Sequence, residues 1–189
     1  VIVHGTHMVA KAAPYSPAGL GFDDDDAAFL QADGFTVVRV GLYWKALEPE
    51  PGQYDASYVA AIKDTVDTLA QHGILSLIDW HQDMWNEEFQ GLGVPDWAVQ
   101  DGGLSNPQYG FPNNYVGNPA LQHAEGAFWD NAPGPGGIGL QDRYAAAWAY
   151  VAQAFKGDKH VLGYELMNEP AGEEFAACLG PSGCPDFDK

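Results

Sequence analysis

Three groups of residues in this sequence have the types and spacing that chemistry needs. Asn168 and Glu169 end the apolar run YELMNEP, immediately before Pro170. Asp79, His81 and Asp83 alternate in DWHQD, and Arg39 interrupts the otherwise apolar FTVVRVGLYW. A carboxyl at the end of a buried strand loses solvation, which suits it to donate a proton near neutral pH. An asparagine beside it can hydrogen-bond a substrate hydroxyl, and a following proline, having no N–H, ends the strand. Glu169 is therefore the candidate general acid/base. The plain alternative is a water-facing strand end closed by a proline turn.

Residues two apart on an extended segment point to one face, so Asp79, His81 and Asp83 could jointly hold a divalent metal. They could equally donate and accept hydrogen bonds to sugar hydroxyls without a closed ligand set. The second use is preferred, with no metal and no cofactor expected. The first run offers His4-Gly-Thr-His7 and the last supplies no histidine ligand. Arg39 on an apolar strand needs a carboxylate partner, which should be an acid of the site. The four acids Asp23 to Asp26 read as a helix start favoured by the helix dipole and not as a calcium loop.

The elements that must carry these residues alternate. Apolar, β-branched runs at Val1 to Val9, Phe35 to Trp44, Ile74 to Trp80 and Val161 to Asn168 predict strands. Helices are predicted at Asp23 to Gly34, at Ala56 to Gly73 with Val59, Ile62, Val66 and Leu69 on one face, and at Leu140 to Gly157 with Tyr144, Trp148, Val151 and Phe155 on one face. Near-continuous apolar strands alternating with helices indicate a parallel sheet covered by helices. An open doubly wound sheet lacks support, since no Gly-x-Gly-x-x-Gly or Walker-type loop follows a strand. The polar residues sit at the C-terminal ends of strands, where a (β/α)8 barrel keeps its active site. The fold class expected is α/β, the first half, about four βα units, of such a barrel. The stretch from about Trp85 to Gly139, rich in Gly, Pro, Asn and aromatics, is too long for a plain loop. It is read as an ordered aromatic insertion after strand three that walls a cleft.

Composition narrows the partners. The 189 residues carry 26 Asp and Glu against 8 Lys and Arg, a net charge of −18, which repels nucleic acid and anionic headgroups. No window is long and apolar enough for a transmembrane helix. The chain opens in the middle of a strand, so an upstream segment that held a signal peptide is expected, and with it a secreted location. Cys178 and Cys184 flank the turn-rich LGPSG and are a disulfide candidate suited to an oxidising compartment.

Taken in order, VVRVGLYWKALEPEPGQYD, LIDWHQDMW and YELMNEP resemble the catalytic barrel of glycoside hydrolase family 5, a group of retaining barrel glycosidases. HQD, MVAKAAPY and GAFWDN resemble more particularly the endoglycoceramidases of that family, which release an intact oligosaccharide from ceramide. The resemblance covers nearly the whole chain. It implies that Glu169 is the acid/base, that Asn168 holds the sugar 2-hydroxyl and that Arg39 orients the nucleophile. It further implies that Lys11, His81, Asp83 and Trp129 bind the sugar beside the scissile bond, with Asp79 orienting His81. One departure is His4-Gly-Thr-His7, where the family often carries Arg-Gly-x-Asn.

A second departure is larger. Retaining chemistry needs two carboxyl groups roughly 5–5.5 Å apart, and the family's nucleophile lies on strand seven. Residues 1–189 then form the N-terminal half of the barrel. The remaining strands, a C-terminal β-domain and the nucleophilic Glu are expected on a second polypeptide or further chain. Asp79 or Asp83 serving as an internal second carboxyl is the minor alternative. The function expected is a retaining endo-glycosidase of glycosphingolipids. The alternatives are a family 5 endo-glucanase or mannanase, a non-catalytic carbohydrate-binding protein, and a metal-dependent barrel hydrolase.

Overall fold

A computed structural model describes residues 3–171. Its strands are β1 (Gly5–Met8), β2 (Val37–Leu42), β3 (Leu75–Trp80) and β4 (Val161–Glu165). All neighbours pair in parallel, in the order β1-β2-β3-β4. A doubly wound sheet reverses direction at a switch point, whereas successive strands laid side by side in sequence order are the arrangement of a (β/α)8 barrel. The sheet is the four-unit arrangement expected from the sequence. Among the described residues, β1 and β4 are each paired on one side only.

The described residues divide into two compact units, 3–81 with 146–168, and 82–145 with 169–171. In the first, α1 (Asp24–Ala32) begins at Asp23, whose carboxylate accepts from the backbone N–H groups of Asp25 and Asp26 while Asp26 reaches back to the N–H of Asp23. That capping box accounts for the acidic run without a cation. A short helix α2 (Trp44–Leu47) follows β2, and the fully buried Glu48 ties it down by accepting from Trp44 Nε1 at 2.7 Å and Gly52 N at 2.6 Å. Helix α3 (Ala56–Gln71) is capped by Asp55 and buries Val59, Ile62, Val66 and Leu69, the face its spacing predicts. Trp80 packs against Trp44 and Trp148 in the same core.

The second unit is more ordered than its composition suggests. The insertion contains two helices, α4 (Asn114–Gly117) and α5 (Pro119–Trp129), with 3-10 turns at Glu87–Phe89 and Asp96–Ala98. Buried Asn114 holds α4 in place, its Nδ2 donating to Phe89 O at 2.7 Å and its Oδ1 accepting from Tyr109 N at 2.8 Å. Asn118 caps α5 at Leu121 N, with Pro119 in the first helical position. Phe128 is the hub of the unit's core and meets Trp85, Trp129 and Tyr144 edge-on. Helix α6 spans Leu140–Ala154. The cysteine pair Cys178 and Cys184 lies outside the described residues.

Candidate active site

In the first unit the polar residues converge on Arg39. Its Nε and Nη2 donate to the two carboxylate oxygens of Glu165, each at 2.6 Å, a fork-on-carboxylate pair across the sheet. Nη2 also donates to Asn168 Oδ1 at 2.9 Å and lies 2.9 Å from Asp79 Oδ1, while Nη1 donates to His7 Nδ1 at 2.8 Å. Arg39 holds the Glu165 carboxyl below its usual range, first through these hydrogen bonds and then through its charge. Asp79, fully buried, accepts from His81 Nδ1 at 2.8 Å through Oδ2 and so fixes the orientation of that ring. Beyond β4 the backbone stays anchored. Asn168 N donates to Trp80 O at 3.0 Å, and Trp148 Nε1 donates to Leu166 O at 3.1 Å.

His7, Asp79 and His81 offer ligand atoms within 4.8 Å of one another. The Arg39 guanidinium already reaches both His7 Nδ1 and an oxygen of Asp79. Burial first, and then the Arg39 charge, push the His7 pKa down, with His81 and Lys11 adding to the effect. A cation brought among these groups would meet that guanidinium, so the set favours hydrogen bonding to a neutral ligand. Asp83 lies in the second unit. Strand β3 ends at Trp80, and the backbone of Asp83 instead exchanges two hydrogen bonds with Leu92, at 2.7 and 2.8 Å. Of the three alternating residues only Asp79 lies on the strand itself, and its Oδ2 accepts from His81. Met84 and Trp85, both at positive φ, turn the chain immediately afterwards, and Gly91 is required there because a Cβ would fall on the carbonyl oxygens of Asp83 and Met84.

Glu169, the residue after Asn168, belongs to the second unit. Its backbone is in the left-handed region at φ 44°, costly for a residue that precedes proline. Gln82 Nε2 donates to its carbonyl oxygen at 2.8 Å, and Gln82 Oε1 in turn accepts from Trp85 N at 2.8 Å. The Glu169 carboxylate accepts from the Tyr115 hydroxyl through Oε2 at 3.1 Å. A cavity of about 520 Å3 opens at this carboxylate, walled by Phe111, Pro112, Asn113, Tyr115, Val116, Pro170 and Ala171. Trp129 donates from Nε1 to Ala171 O at 2.5 Å and is 44% exposed, so its ring has area left for a ligand.

A family model described as cellulase (glycosyl hydrolase family 5) matches residues 15–178. The chain belongs to glycosyl hydrolase family 5. It is 37% identical over 191 residues to endoglycoceramidase I of Rhodococcus hoagii (strain 103S), a match covering 100% of this chain and 37% of that protein. Among solved structures, endo-glycoceramidase II from Rhodococcus sp. is similar at 33% identity in two states. Its lactosyl-enzyme intermediate superposes with a TM-score of 0.78 and its ganglioside GM3 complex with 0.77, each covering 91% of this chain and 41% of that one. The chain thus spans about two-fifths of the length of the relatives it matches.

For a family 5 chain, the sheet corresponds to the first half of the (β/α)8 barrel, with the polar groups at strand C-terminal ends. Of the residues singled out in the sequence, Arg39, Asp79, His81 and Asn168 meet in one network of the first unit, with the exposed Lys11 near enough to influence His7. Glu169, Asp83 and Trp129 lie in the second unit. Sequence reasoning passed over Glu165, Gln82 and Tyr115. Glu165 carried a usable signal, because Arg39 demanded an acid and the last strand offers one in YELMNEP. Replacing Glu165 by Gln in this family 5 protein should cost about 1 kcal/mol, a modest figure because the pair is partly exposed. Since the folded-state pKa of Glu165 is depressed, its contribution is present above the ordinary value and lost as pH falls through the lower one. Urea unfolding at neutral and acidic pH should show the gap between wild type and Glu165→Gln closing on the acid side.

Proposed function

We propose that this chain supplies the acid/base half of a retaining endo-glycosidase that cleaves between oligosaccharide and ceramide in glycosphingolipids. In this reading Glu169 gives its proton to the glycosidic oxygen. A Glu from the rest of the barrel, on a further stretch of chain or a second polypeptide, attacks the anomeric carbon. Ceramide leaves as the alcohol. Glu169 then takes a proton from water, which displaces the carboxylate from the sugar and releases the oligosaccharide with retained configuration. Asn168 holds the 2-hydroxyl and Arg39 orients the nucleophile. Lys11, His81, Asp83 and Trp129 bind the sugar next to the bond, with Asp79 fixing His81.

The observation that carries the substrate class is the apolar cavity at Glu169. A general acid protonates the leaving oxygen, so whatever lies against its carboxyl on the far side of that oxygen is the leaving group. Phe111, Pro112, Val116, Pro170 and Ala171 outnumber the polar lining residues Asn113, Tyr115 and Glu169, which favours hydrocarbon there over another sugar ring. The one-sided pairing of β1 and β4 favours completion of the sheet by further strands.

The test uses the complete barrel, offered lactosylceramide in detergent and, separately, a soluble β-glucan. Release of intact lactose and ceramide, with little action on the glucan, is expected. Hydrolysis of the glucan alone would move the reading to a polysaccharide hydrolase of the same family. Loss of activity on chelation would point to a metal-dependent hydrolase.

A further inference from the structure

The phenol of Tyr115 sits where it can control the carboxyl just described. We propose that Tyr115 is a positioning residue for the acid/base, holding Oε2 of Glu169 so that Oε1 is the oxygen that delivers the proton; this rests on Glu169 acting as that acid/base. The hydroxyl of Tyr115 accepts from Met84 N–H at 2.8 Å and lies 3.1 Å from Glu169 Oε2. A phenol has one proton to give, and a carboxyl oxygen that carries no proton can only accept. With the Met84 N–H arriving from the backbone, the phenol proton is directed at Glu169.

The donor is itself held firmly. Tyr115 is 5% exposed and stands on α4, which the buried Asn114 ties to Phe89 and Tyr109. Burial raises the Tyr115 pKa, with the nearby carboxylates of Glu169 and Glu125 adding to it and the Met84 N–H opposing it. The phenol therefore keeps its proton over the whole range in which a glycosidase works. Gln82 meanwhile holds the Glu169 carbonyl, so the residue is fixed at its backbone by one side chain and at its carboxyl by another.

The consequence is a definite division between the two oxygens. In the acid form, Oε2 accepts from Tyr115 and Oε1 carries the proton that passes to the glycosidic oxygen. In the second step Oε1, now bare, takes a proton from the attacking water. Without the phenol the carboxyl can rotate, and proton delivery loses its alignment.

The experiment compares Tyr115→Phe with wild type in the complete barrel on two lactosides. One has an alkyl leaving group that departs only when protonated. The other is the 2,4-dinitrophenyl lactoside, whose leaving group departs without help. The expected result is a fall in kcat/KM of about 10- to 100-fold on the alkyl lactoside and of less than about threefold on the dinitrophenyl one. The ratio of the two losses does not depend on the fraction of variant that folds. Equal losses on both substrates, or none on either, would overturn the positioning role. Glu169→Gln, run alongside, separates the two readings. If it leaves the alkyl lactoside turnover intact, the acid/base assignment itself fails. If it abolishes that turnover while Tyr115→Phe does nothing, only the role of Tyr115 fails.

Discussion

Replacing Glu169 by Gln in the complete barrel should lower kcat on a lipid-linked lactoside by about 10²- to 10⁴-fold, the usual contribution of a general acid/base. The amide keeps the size and shape of the side chain. Its oxygen can still accept from Tyr115, and Gln82 still holds the backbone carbonyl. What it lacks is a proton to transfer, so the loss belongs to chemistry and not to folding. The loss in kcat/KM, which reports the first step alone, should be large where the leaving group is an alcohol and small where it is an activated phenol. Steady-state kinetics on the two substrates, with unfolding curves to show equal stability, is the check. Unchanged turnover of the lipid-linked substrate would favour a carbohydrate-binding role with no hydrolysis.

The second large effect is on stability and concerns Glu125. It lies on α5, is 1% exposed, and neither carboxyl oxygen has a hydrogen-bond partner among the described residues. Burial pushes its pKa from the ordinary 4.5 up to about 8, since the charged form is the one that loses solvation. Between those values the folded protein holds a proton that the unfolded chain has released. Stability is therefore unaffected by this group below about pH 4.5, falls as pH rises through the interval, and levels off above about 8. The slope approaches 1.4 kcal/mol per pH unit and the whole loss is on the order of 5 kcal/mol. Glu125→Gln removes the ionisation and should flatten the profile. Urea midpoints of the two proteins at pH 5, 6.5 and 8 measure it: converging curves at the acid end and diverging ones at the alkaline end are expected, whereas parallel curves would mean that Glu125 ionises freely in the folded state.

Much of this was readable because it is local. Helices α1 and α3 announce themselves by Asp23 and Asp55 at their starts and by glycines at positive φ beyond their ends, Gly34 and Gly73. The apolar strands are short runs that leave little else to choose. Glu169 is visible because YELMNEP stops abruptly.

Tyr115 was not readable as a partner of Glu169, because 54 positions separate them and nothing in the intervening sequence encodes the contact. Helix α5 hid for another reason. Gly126 and the buried Glu125 spoil its apolar periodicity, although Asn118 and Pro119 are a legible start signal. Alternation predicts a shared face only while a strand lasts, and β3 stops at Trp80, so the strand itself carries only the first two residues of DWHQD. Glu165 was overlooked because the glutamate four residues later in the same run drew the chemical interpretation. Glu165, the last residue of β4, is the acid that Arg39 required.

The division of labour between this chain and the rest of the barrel is open to one direct measurement. A 2-deoxy-2-fluoro lactoside with an activated leaving group slows release of a covalent glycosyl-enzyme, so the complete protein can be inactivated, digested and the labelled peptide located by mass spectrometry. If Glu169 is the acid/base and the nucleophile lies elsewhere in the barrel, the label falls on a glutamate outside residues 1–189. A label on Asp79, Asp83 or Glu165, or hydrolysis with inversion and no covalent species, would contradict it.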